Sequence, residues 1–149
     1  DFPDTDFINS EMECGDGKNT WEYALYLYEK MHHYFRFGSR ANVYWNMALE
    51  NEGLSTWGWR QNSLISVKDG EYVFNPEFYM YKHFSHFVKR GAVMLKTTGS
   101  FSSNATVFEN PDSSRVAVIV NPFFNEKLLT VNQKNYILKP RSFNTIVLD

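Results

Sequence analysis

The feature that most constrains the fold is a change of pattern at Gly91. Before it, two short β-prone runs alternate with two longer runs that have helical spacing. After it, short segments rich in Val, Thr, Phe and Ile alternate with clusters of turn residues. Strand–helix alternation is typical of parallel βα units, and closely spaced short strands are typical of an antiparallel sheet. We therefore predict a mixed α+β chain with two parts, residues 1–90 and 91–149.

The first part opens with a predicted strand and a predicted helix. Thr5–Ser10 has the apolar character of a short buried strand, and a loop with two glycines follows it. Asn19 is the predicted N-cap of the helix, with Glu22 at capping-box spacing. The helix is expected to continue to about Arg36 and to stop at Gly38, where a glycine suits the left-handed conformation.

The rest of the first part contains a second strand, a long loop, a hairpin and a second helix. Ala41–Met47 is the predicted strand, and the loop occupies Ala48–Asn62. Asp69-Gly70 between two β-prone runs is a strong signal for a hairpin. Asn75-Pro76-Glu77 predicts a helix start with proline at its first position, and the helix is expected to end near Lys89.

The second part is predicted to be all-β. Its turn clusters divide it into six strands. These are Ala92–Thr97, Ala105–Glu109, Arg115–Asn121, Lys127–Val131, Asn135–Leu138 and Ser142–Leu148. The pattern suits an antiparallel β-sandwich.

Two βα units do not make a domain. A closed (β/α)₈ barrel takes about 250 residues, and isolated parallel strands would leave hydrogen-bonding edges open. We therefore expect the missing partners to precede Asp1.

Hydrophobic residues make up 43% and charged residues 21% of the 149 residues, as in a globular protein. The net charge of −2 and the absence of a basic tract argue against a nucleic-acid partner, and no apolar run is long enough for a membrane span.

Glu11 is the leading candidate for a catalytic group. It follows the first predicted strand and precedes a glycine-rich loop. Barrel enzymes place catalytic side chains at the carboxyl ends of their strands, and a carboxylate there can act as a nucleophile. Glu13 would point the same way along an extended chain, so spacing alone leaves both residues open.

Three ordered motifs resemble glycoside hydrolase family 30, which includes glucosylceramidases, β-1,6-glucanases and xylan-cleaving enzymes. They are Ser10-Glu11 followed by Cys14-Gly15, the segment Tyr44–Gly53, and Asn75–Tyr79 followed by His83–Phe87. The resemblance covers nearly the whole chain. It implies the last two βα units of a (β/α)₈ barrel at 1–90, followed by an antiparallel β-sandwich at 91–149.

The same resemblance implies a retaining hydrolase of β-linked sugars with Glu11 as nucleophile. The second carboxyl group in this family follows an asparagine at the end of the fourth barrel strand. Asn51-Glu52 and Asn125-Glu126 lie in other segments. We therefore expect this chain to be inactive by itself and to need the N-terminal barrel portion of the same protein as its partner. The resemblance also suggests a secreted or periplasmic protein.

Four further residues are predicted to contact a carbohydrate substrate. The resemblance implies that Trp45 is a stacking platform in the deepest subsite. Trp57 and Trp59 lie in a long loop, where large aromatic side chains could line the cleft. A looser alignment to the same family implies that Asn62 hydrogen-bonds sugar hydroxyls.

No cofactor or metal is predicted, because His83 and His86 lack a third ligand at suitable spacing. The alternative hypothesis is a non-catalytic carbohydrate-binding or structural β-sandwich module. It is motivated by the missing carboxyl group and by the all-β second part.

Overall fold

The computed structural model describes residues 5–12, 15–50 and 53–148. The chain divides into two compact units, Asp1–Met80 and Tyr81–Asp149. The division falls within the second helix, and the predicted domain boundary after residue 90 stays a prediction. The helices and strands are β1 Phe7–Asn9, α1 Trp21–Arg36, β2 Ser39–Asn42, β3 Ala48–Leu49, β4 Ile65–Lys68, β5 Glu71–Phe74, α2 Pro76–Phe87, β6 Val93–Leu95, β7 Ala105–Glu109, β8 Arg115–Asn121, β9 Lys127–Val131, β10 Lys134–Leu138 and β11 Ser142–Leu148. The chain is thus a mixed α+β protein, as predicted.

The first unit begins with a parallel β–α–β arrangement. β1 and β2 pair in parallel, and Asn9 lies opposite Asn42. Backbone bonds continue the pairing beyond the strands, from Val43 N to Asn9 O at 2.9 Å and from Met12 N to Val43 O at 2.9 Å. Parallel strands end on the same side of a sheet. The residues that follow β1 and those that follow β2 therefore lie side by side.

Helix α1 begins one residue later than predicted. Its N-cap is Thr20, whose side-chain oxygen accepts a hydrogen bond from Tyr23 N at 3.2 Å. The prediction that Asn19 caps the helix was wrong, because Asn19 has a φ of +48° and its Oδ1 accepts instead from Ser63 N at 2.9 Å. The end at Arg36 and the left-handed Gly38, with a φ of +90°, are as predicted.

The buried side of α1 follows helical spacing. Its apolar members are Ala24, Leu27, Tyr28 and Met31, each at most 2% exposed, and His32 beside them is 7% exposed. Positions three and four residues apart share one face of a helix. Met12 and Met80 of the first unit are buried as well.

The predicted strand Ala41–Met47 is only partly correct. β2 ends at Asn42, and the chain pairs again at β3, where Ala48 lies opposite Ile65 in parallel. The apolar side chains of Val43, Trp45 and Met47 are 49%, 47% and 72% exposed. Backbone hydrogen bonds join Val43 N to Asn9 O and Ile65 N to Met47 O, both at 2.9 Å, so the segment passes from pairing with β1 to pairing with β4.

The predicted hairpin is confirmed. β4 and β5 pair antiparallel, with Lys68 opposite Glu71. Asp69 and Gly70 have φ values of +52° and +81°, as a two-residue turn of this hand requires. With β3 the hairpin forms a three-stranded sheet in the order β3-β4-β5.

Helix α2 begins at Pro76 as predicted. Asn75 Nδ2 donates to Ser63 O at 2.8 Å and to Ser66 Oγ at 2.9 Å, which fixes the start of the helix against β4. The helix ends at Phe87, two residues before the expected position. Asn110 explains this end, because its Oδ1 accepts from Lys89 N at 2.8 Å and its Nδ2 donates to Phe87 O at 3.1 Å.

The second unit is built on a four-stranded antiparallel sheet in the order β11-β8-β7-β6, accompanied by the β9–β10 hairpin. The six strands lie where the sequence predicts them, with small differences at the ends of β6 and at the start of β10. The central strand β8 has six consecutive buried residues, Val116–Asn121. Ala117 and Ile119 pack with Leu138 of the hairpin and with Ile146 of β11. The hairpin therefore covers one face of the sheet.

The opposite face of that sheet lies against the second half of α2. The rings of Phe84 and Phe108 meet edge to face with centroids 6.4 Å apart. His83 Nδ1 forms a 2.8 Å hydrogen bond with Thr145 Oγ1. Burial lowers the pKa of His83, with a smaller contribution from the charge of Lys82. The strand β8 is consequently buried on both faces.

Candidate active site at the ends of the parallel strands

Glu11 lies just beyond β1, on the side where β2 also ends. Its side chain is exposed, whereas its neighbour Met12 is only 3% exposed. Successive residues of an extended chain point to opposite sides. Burial of Met12 therefore directs Glu11 outward, at a position fixed by the Met12–Val43 backbone bond of 2.9 Å. Glu13 and Cys14 lie outside the described residues, so the choice between Glu11 and Glu13 stays a prediction.

Glu11 borders a concave surface with a volume of about 820 Å³. The surface combines carboxylates with tyrosine rings, which suits a polar ligand that also has apolar faces. The residues that line it are Glu11, Gly15, Asp16, Thr20, Glu22, Tyr23 and Tyr26. We refer to it below as the Glu11 concavity.

Asp16 contributes a fixed negative charge to this concavity. Its carboxylate lies 2.5 Å from Lys18 Nζ and also accepts from Lys18 N at 3.1 Å. These hydrogen bonds hold the pKa of Asp16 below its usual value. Both side chains are more than half exposed, so the ion pair contributes little to stability. Its effect is to keep Asp16 ionised next to Glu11.

The loop Gly15–Gly17 is held against the chain segment Arg60–Asn62. A Cβ on Gly15 would lie 2.6 Å from the Asn62 side chain, and a Cβ on Gly17 would lie 2.4 Å from Arg60 Cβ. Both glycines also have positive φ values, +68° and +81°. A side chain at either position would therefore displace the loop.

Asn62 is a buried link between the loop and helix α2. Its Oδ1 accepts from Gly17 N at 2.6 Å, and its Nδ2 donates to Glu77 Oε1 at 2.7 Å. The residue is 0% exposed. Contact with sugar hydroxyls, which the sequence predicts for Asn62, would require this buried side chain to become exposed.

Glu77 is a residue that sequence reasoning missed. Its side chain is 0% exposed, and burial raises its pKa to about 7 against a usual value of 4.5. The hydrogen bond from Asn62 opposes this shift, and the charge of Asp16 adds to it. An acidic residue in the first turn of a helix is usually placed there by the helix dipole and stays hydrated. Local pattern therefore gave no sign of its burial.

Trp57 and Trp59 form an exposed aromatic pair. They are 77% and 57% exposed, and their ring centroids are 5.7 Å apart at an interplanar angle of 46°. The turn that presents them is closed by a 2.8 Å bond from Ser55 N to Trp59 O. The structure thus brings together two of the predicted substrate contacts.

Trp45 lies beyond β2, on the same side of the strand pair as Glu11. It is 47% exposed, and its peptide bond to Asn46 is cis. Asn46 Nδ2 donates to Gln61 Oε1 at 3.3 Å, which connects this segment to the loop that carries Trp57 and Trp59. None of the three tryptophans belongs to the described lining of the Glu11 concavity.

The part of the chain that is described contains no group of three or more His, Cys, Asp or Glu side chains able to hold a metal ion. Among these same residues, no helix has the length and apolar character needed to cross a bilayer.

Sequence comparison finds relatives among fungal glucanases. The chain is 33% identical over 95 residues to the endo-1,6-β-D-glucanase neg1 of Aspergillus fumigatus, covering 59% of this chain and 20% of that protein. It is 35% identical over 69 residues to the endo-1,6-β-D-glucanase BGN16.3 of Trichoderma harzianum, covering 42% of this chain and 14% of that protein. No family model matches the chain.

Structure comparison finds solved structures with a similar fold. SrfJ from Salmonella typhimurium superposes with a TM-score of 0.81 at 24% identity, covering 98% of this chain and 35% of that one. The endo-β1,6-glucanase BT3312 superposes at 0.78 and 21% identity, covering 97% and 36% of the two chains. The catalytic domain of the family 30 xylanase C from Talaromyces cellulolyticus gives 0.64 at 19% identity, covering 97% and 38%.

These relatives and solved structures support a relationship to glycoside hydrolase family 30. The predicted family relationship is therefore confirmed. The chain spans about a fifth or less of the fungal glucanases that it matches and somewhat over a third of the solved structures.

Proposed function

We propose that this chain is the C-terminal part of a retaining glycoside hydrolase that acts on β-linked sugars, and that Glu11 is its nucleophile. The observation that carries the proposal is the position of Glu11. It is an exposed carboxylate where two parallel strands end, set by the buried Met12 and bordering a concave surface. Catalytic groups of barrel enzymes occupy this position.

The proposed parent fold is a (β/α)₈ barrel followed by a β-sandwich. The β1–α1–β2 arrangement and the elements up to α2 would form the last two βα units, and β6–β11 would form the sandwich. Support comes from the fold likeness to solved family 30 structures, of which this chain covers 35% to 38%. The remaining strands of the barrel would come from the N-terminal portion of the same protein.

The proposed reaction is a double displacement. A carboxylate oxygen of Glu11 attacks the anomeric carbon, and the glycosidic C–O bond breaks while a second carboxylic acid donates its proton to the departing oxygen. That second group, now a carboxylate, removes a proton from water, whose oxygen attacks the anomeric carbon and releases Glu11. The two groups sit about 5–5.5 Å apart in retaining enzymes. Because the N-terminal portion would supply the second group, we propose that this chain is inactive by itself.

We propose a β-1,6-linked glucan as the first substrate to test, because the fungal relatives are named as endo-1,6-β-glucanases. Trp45 would stack against a pyranose ring near Glu11, and Trp57 with Trp59 would bind further along the chain of sugars. Burial of the apolar faces of sugar rings on indole is the physical basis for all three contacts. Export to the periplasm or the medium is proposed on the family relationship.

The experiment that tests this function compares two matched variants in the full-length protein. Glu11→Gln removes the nucleophile without changing its size, and the expected result is a fall in kcat of at least about a thousandfold on β-1,6-glucan oligomers. Glu29→Gln, at an exposed position of α1, serves as the control and should leave kcat unchanged. Equal activity of the two variants would remove Glu11 from the mechanism.

A second candidate function is a non-catalytic carbohydrate-binding module. The exposed Trp57–Trp59 pair favours it, since adjacent indole rings can bind sugars without any catalytic group. Titration of this chain with glucan, xylan and galactan oligomers, followed by tryptophan fluorescence, tests the idea. Binding by wild type that is lost in Trp57→Ala would support the module, and an unchanged signal with every oligomer would rule it out.

A further inference from the structure

We propose that Glu77 is a positioning residue that acts through Asn62 to hold the loop Gly15–Gly17 at the border of the Glu11 concavity. The inference deepens the proposed function, since its catalytic consequence depends on Glu11 being the nucleophile. The physical part, which is control of the loop by a buried carboxyl group, stands on the hydrogen bonds alone.

The connection consists of two consecutive hydrogen bonds. Glu77 Oε1 accepts from Asn62 Nδ2 at 2.7 Å, and Asn62 Oδ1 accepts from Gly17 N at 2.6 Å. Both side chains are 0% exposed. Buried hydrogen bonds of this kind polarise one another and fix the orientation of the amide between them. The orientation of Asn62 then determines where Gly17 N can lie.

The loop depends on the orientation of Asn62 for steric reasons as well. A Cβ on Gly15 would lie 2.6 Å from both Cγ and Oδ1 of Asn62, so the backbone of the loop packs directly on this amide. A flip of the Asn62 amide would place an NH₂ group against Gly17 N and leave two donors facing each other. The acceptor on Glu77 prevents that flip, because it requires a donor on its side of Asn62.

Helix α2 has an attachment to the sheet that is separate from Glu77. Asn75 makes that attachment, through bonds of 2.8 Å to Ser63 O and 2.9 Å to Ser66 Oγ. Among the described residues, Glu77 Oε2 has no hydrogen-bond partner. The contact with Asn62 is therefore the specific contribution of the carboxyl group, and an uncharged carbonyl at the same place could provide it.

The burial of Glu77 agrees with this role. The side chain is buried, and removal from water raises the pKa of Glu77 to about 7 because it disfavours the charged carboxylate. Of the other ionisable groups, Asp16 acts on Glu77 through its charge, and Asp16 lies in the same loop that the connection holds. The loop, the carboxyl group and the concavity are thus physically coupled.

The test uses three variants of the full-length protein. Glu77→Met has similar volume but no acceptor, Glu77→Gln retains a carbonyl acceptor for Asn62, and Met80→Ala removes buried apolar volume from the same helix without touching a hydrogen bond. For each variant, hydrogen exchange at the Gly17 amide is measured together with kcat and KM on β-1,6-glucan oligomers. Exchange is compared at equal global stability, after adjustment by denaturant.

The expected result separates Glu77→Met from the other two variants. Loss of the acceptor should speed Gly17 exchange about tenfold, the factor that corresponds to one net hydrogen bond. It should lower kcat about tenfold with little change in KM, since a displaced loop misplaces the reacting groups more than it weakens binding. Glu77→Gln should restore both values, and Met80→Ala should leave both unchanged.

Other outcomes have distinct meanings. Unchanged Gly17 exchange in Glu77→Met, or equally fast exchange in Met80→Ala, would overturn control of the loop by Glu77. Faster exchange with unchanged kcat would overturn the catalytic consequence. If Glu77→Met does not fold, Glu77→Ala replaces it, because this variant also lacks the acceptor for Asn62 Nδ2, and the same increase in exchange is expected. Activity that survives Glu11→Gln would remove the proposed function while leaving the exchange result in force.

Discussion

The two units of this chain differ in how completely they bury their strands. In the second unit, β8 is buried along six consecutive residues, and its neighbours supply a continuous apolar core. In the first unit, the strands are short and open, with Ile8 56% and Val73 62% exposed. A sheet that covers its own faces can be stable alone, whereas short strands with exposed apolar residues depend on other elements. The first unit carries the candidate active site and has the weaker structural support.

The largest effect expected from this comparison is a difference between two isoleucines. In the isolated chain, Ile119→Ala should lower the free energy of unfolding by about 2–5 kcal/mol, because the residue is 1% exposed in the core. Ile8→Ala should change it by about 0.5 kcal/mol or less, because Ile8 is 56% exposed. Urea denaturation of both variants measures the difference.

The variants Ile119→Ala and Ile8→Ala can also be compared in the full-length protein. If additional barrel strands cover β1, Ile8→Ala should there cost about 2 kcal/mol or more. An equally small effect in both contexts would contradict the proposed barrel.

The second expected effect is a pH dependence that originates in the first unit. The folded state retains a proton on Glu77 up to a pKa of about 7, whereas the unfolded chain releases it near 4.5. Stability therefore falls as the pH rises from about 4.5 to about 7 and is constant with respect to this group above that range. A shift of this size corresponds to roughly 3 kcal/mol.

Glu77→Gln removes this dependence. It should be more stable than wild type by up to about 3 kcal/mol at pH 8, and the two proteins should converge below about pH 4.5. Denaturation of both proteins at a series of pH values measures the difference. If the two free energies of unfolding differ by the same amount at every pH, Glu77 does not titrate in this range.

A smaller effect concerns the close approach at Gly17. Gly17 and Gly58 both have positive φ values, +81° and +86°, but only Gly17 has neighbours that a Cβ would strike. Gly17→Ala should therefore cost about 1–3 kcal/mol more than Gly58→Ala, which carries the backbone strain alone. Equal losses of stability in thermal denaturation would show that the loop is not packed against Arg60.

The smallest effect should be the same in both units. Arg40 pairs with Asp6 at 2.6 Å in the first unit, and Arg115 pairs with Glu109 at 2.8 Å in the second. All four side chains are well exposed, so each pair should contribute about 1 kcal/mol or less and less still at high salt. Double-mutant cycles at low and high ionic strength measure both contributions. A large value in either unit would mean that its surface charges, and not its core, set its stability.

Local signals account for most of what the sequence predicts correctly. The hairpin at Asp69-Gly70 and the start of α2 at Pro76 follow from residues next to each other in the chain. The strands of the second unit also show clear turn residues at both ends, and they are long enough for their composition to be decisive. The sequence predicts the structure correctly in these places because the residues whose contacts select it are close together in the chain.

Contacts between distant residues account for what the sequence did not predict. Asn19 is at a suitable place for an N-cap, but its side-chain oxygen accepts a hydrogen bond from Ser63 N, 44 residues further along the chain. The segment after Asn42 has strand composition, but its apolar side chains Val43, Trp45 and Met47 are exposed. Glu77 and Asn62 are 15 residues apart and resemble solvent-exposed polar residues until the structure shows them buried together. Propensity carries no information about such pairings.

The most direct test of the central claim is chemical trapping of the nucleophile in the full-length protein. A 2-fluoro β-glycoside slows release of the covalent intermediate, and peptide mapping then locates the labelled carboxylate. The account predicts a stoichiometric label on Glu11, with no label in Glu11→Gln. A label on Glu13, or on a residue outside this chain, would contradict it.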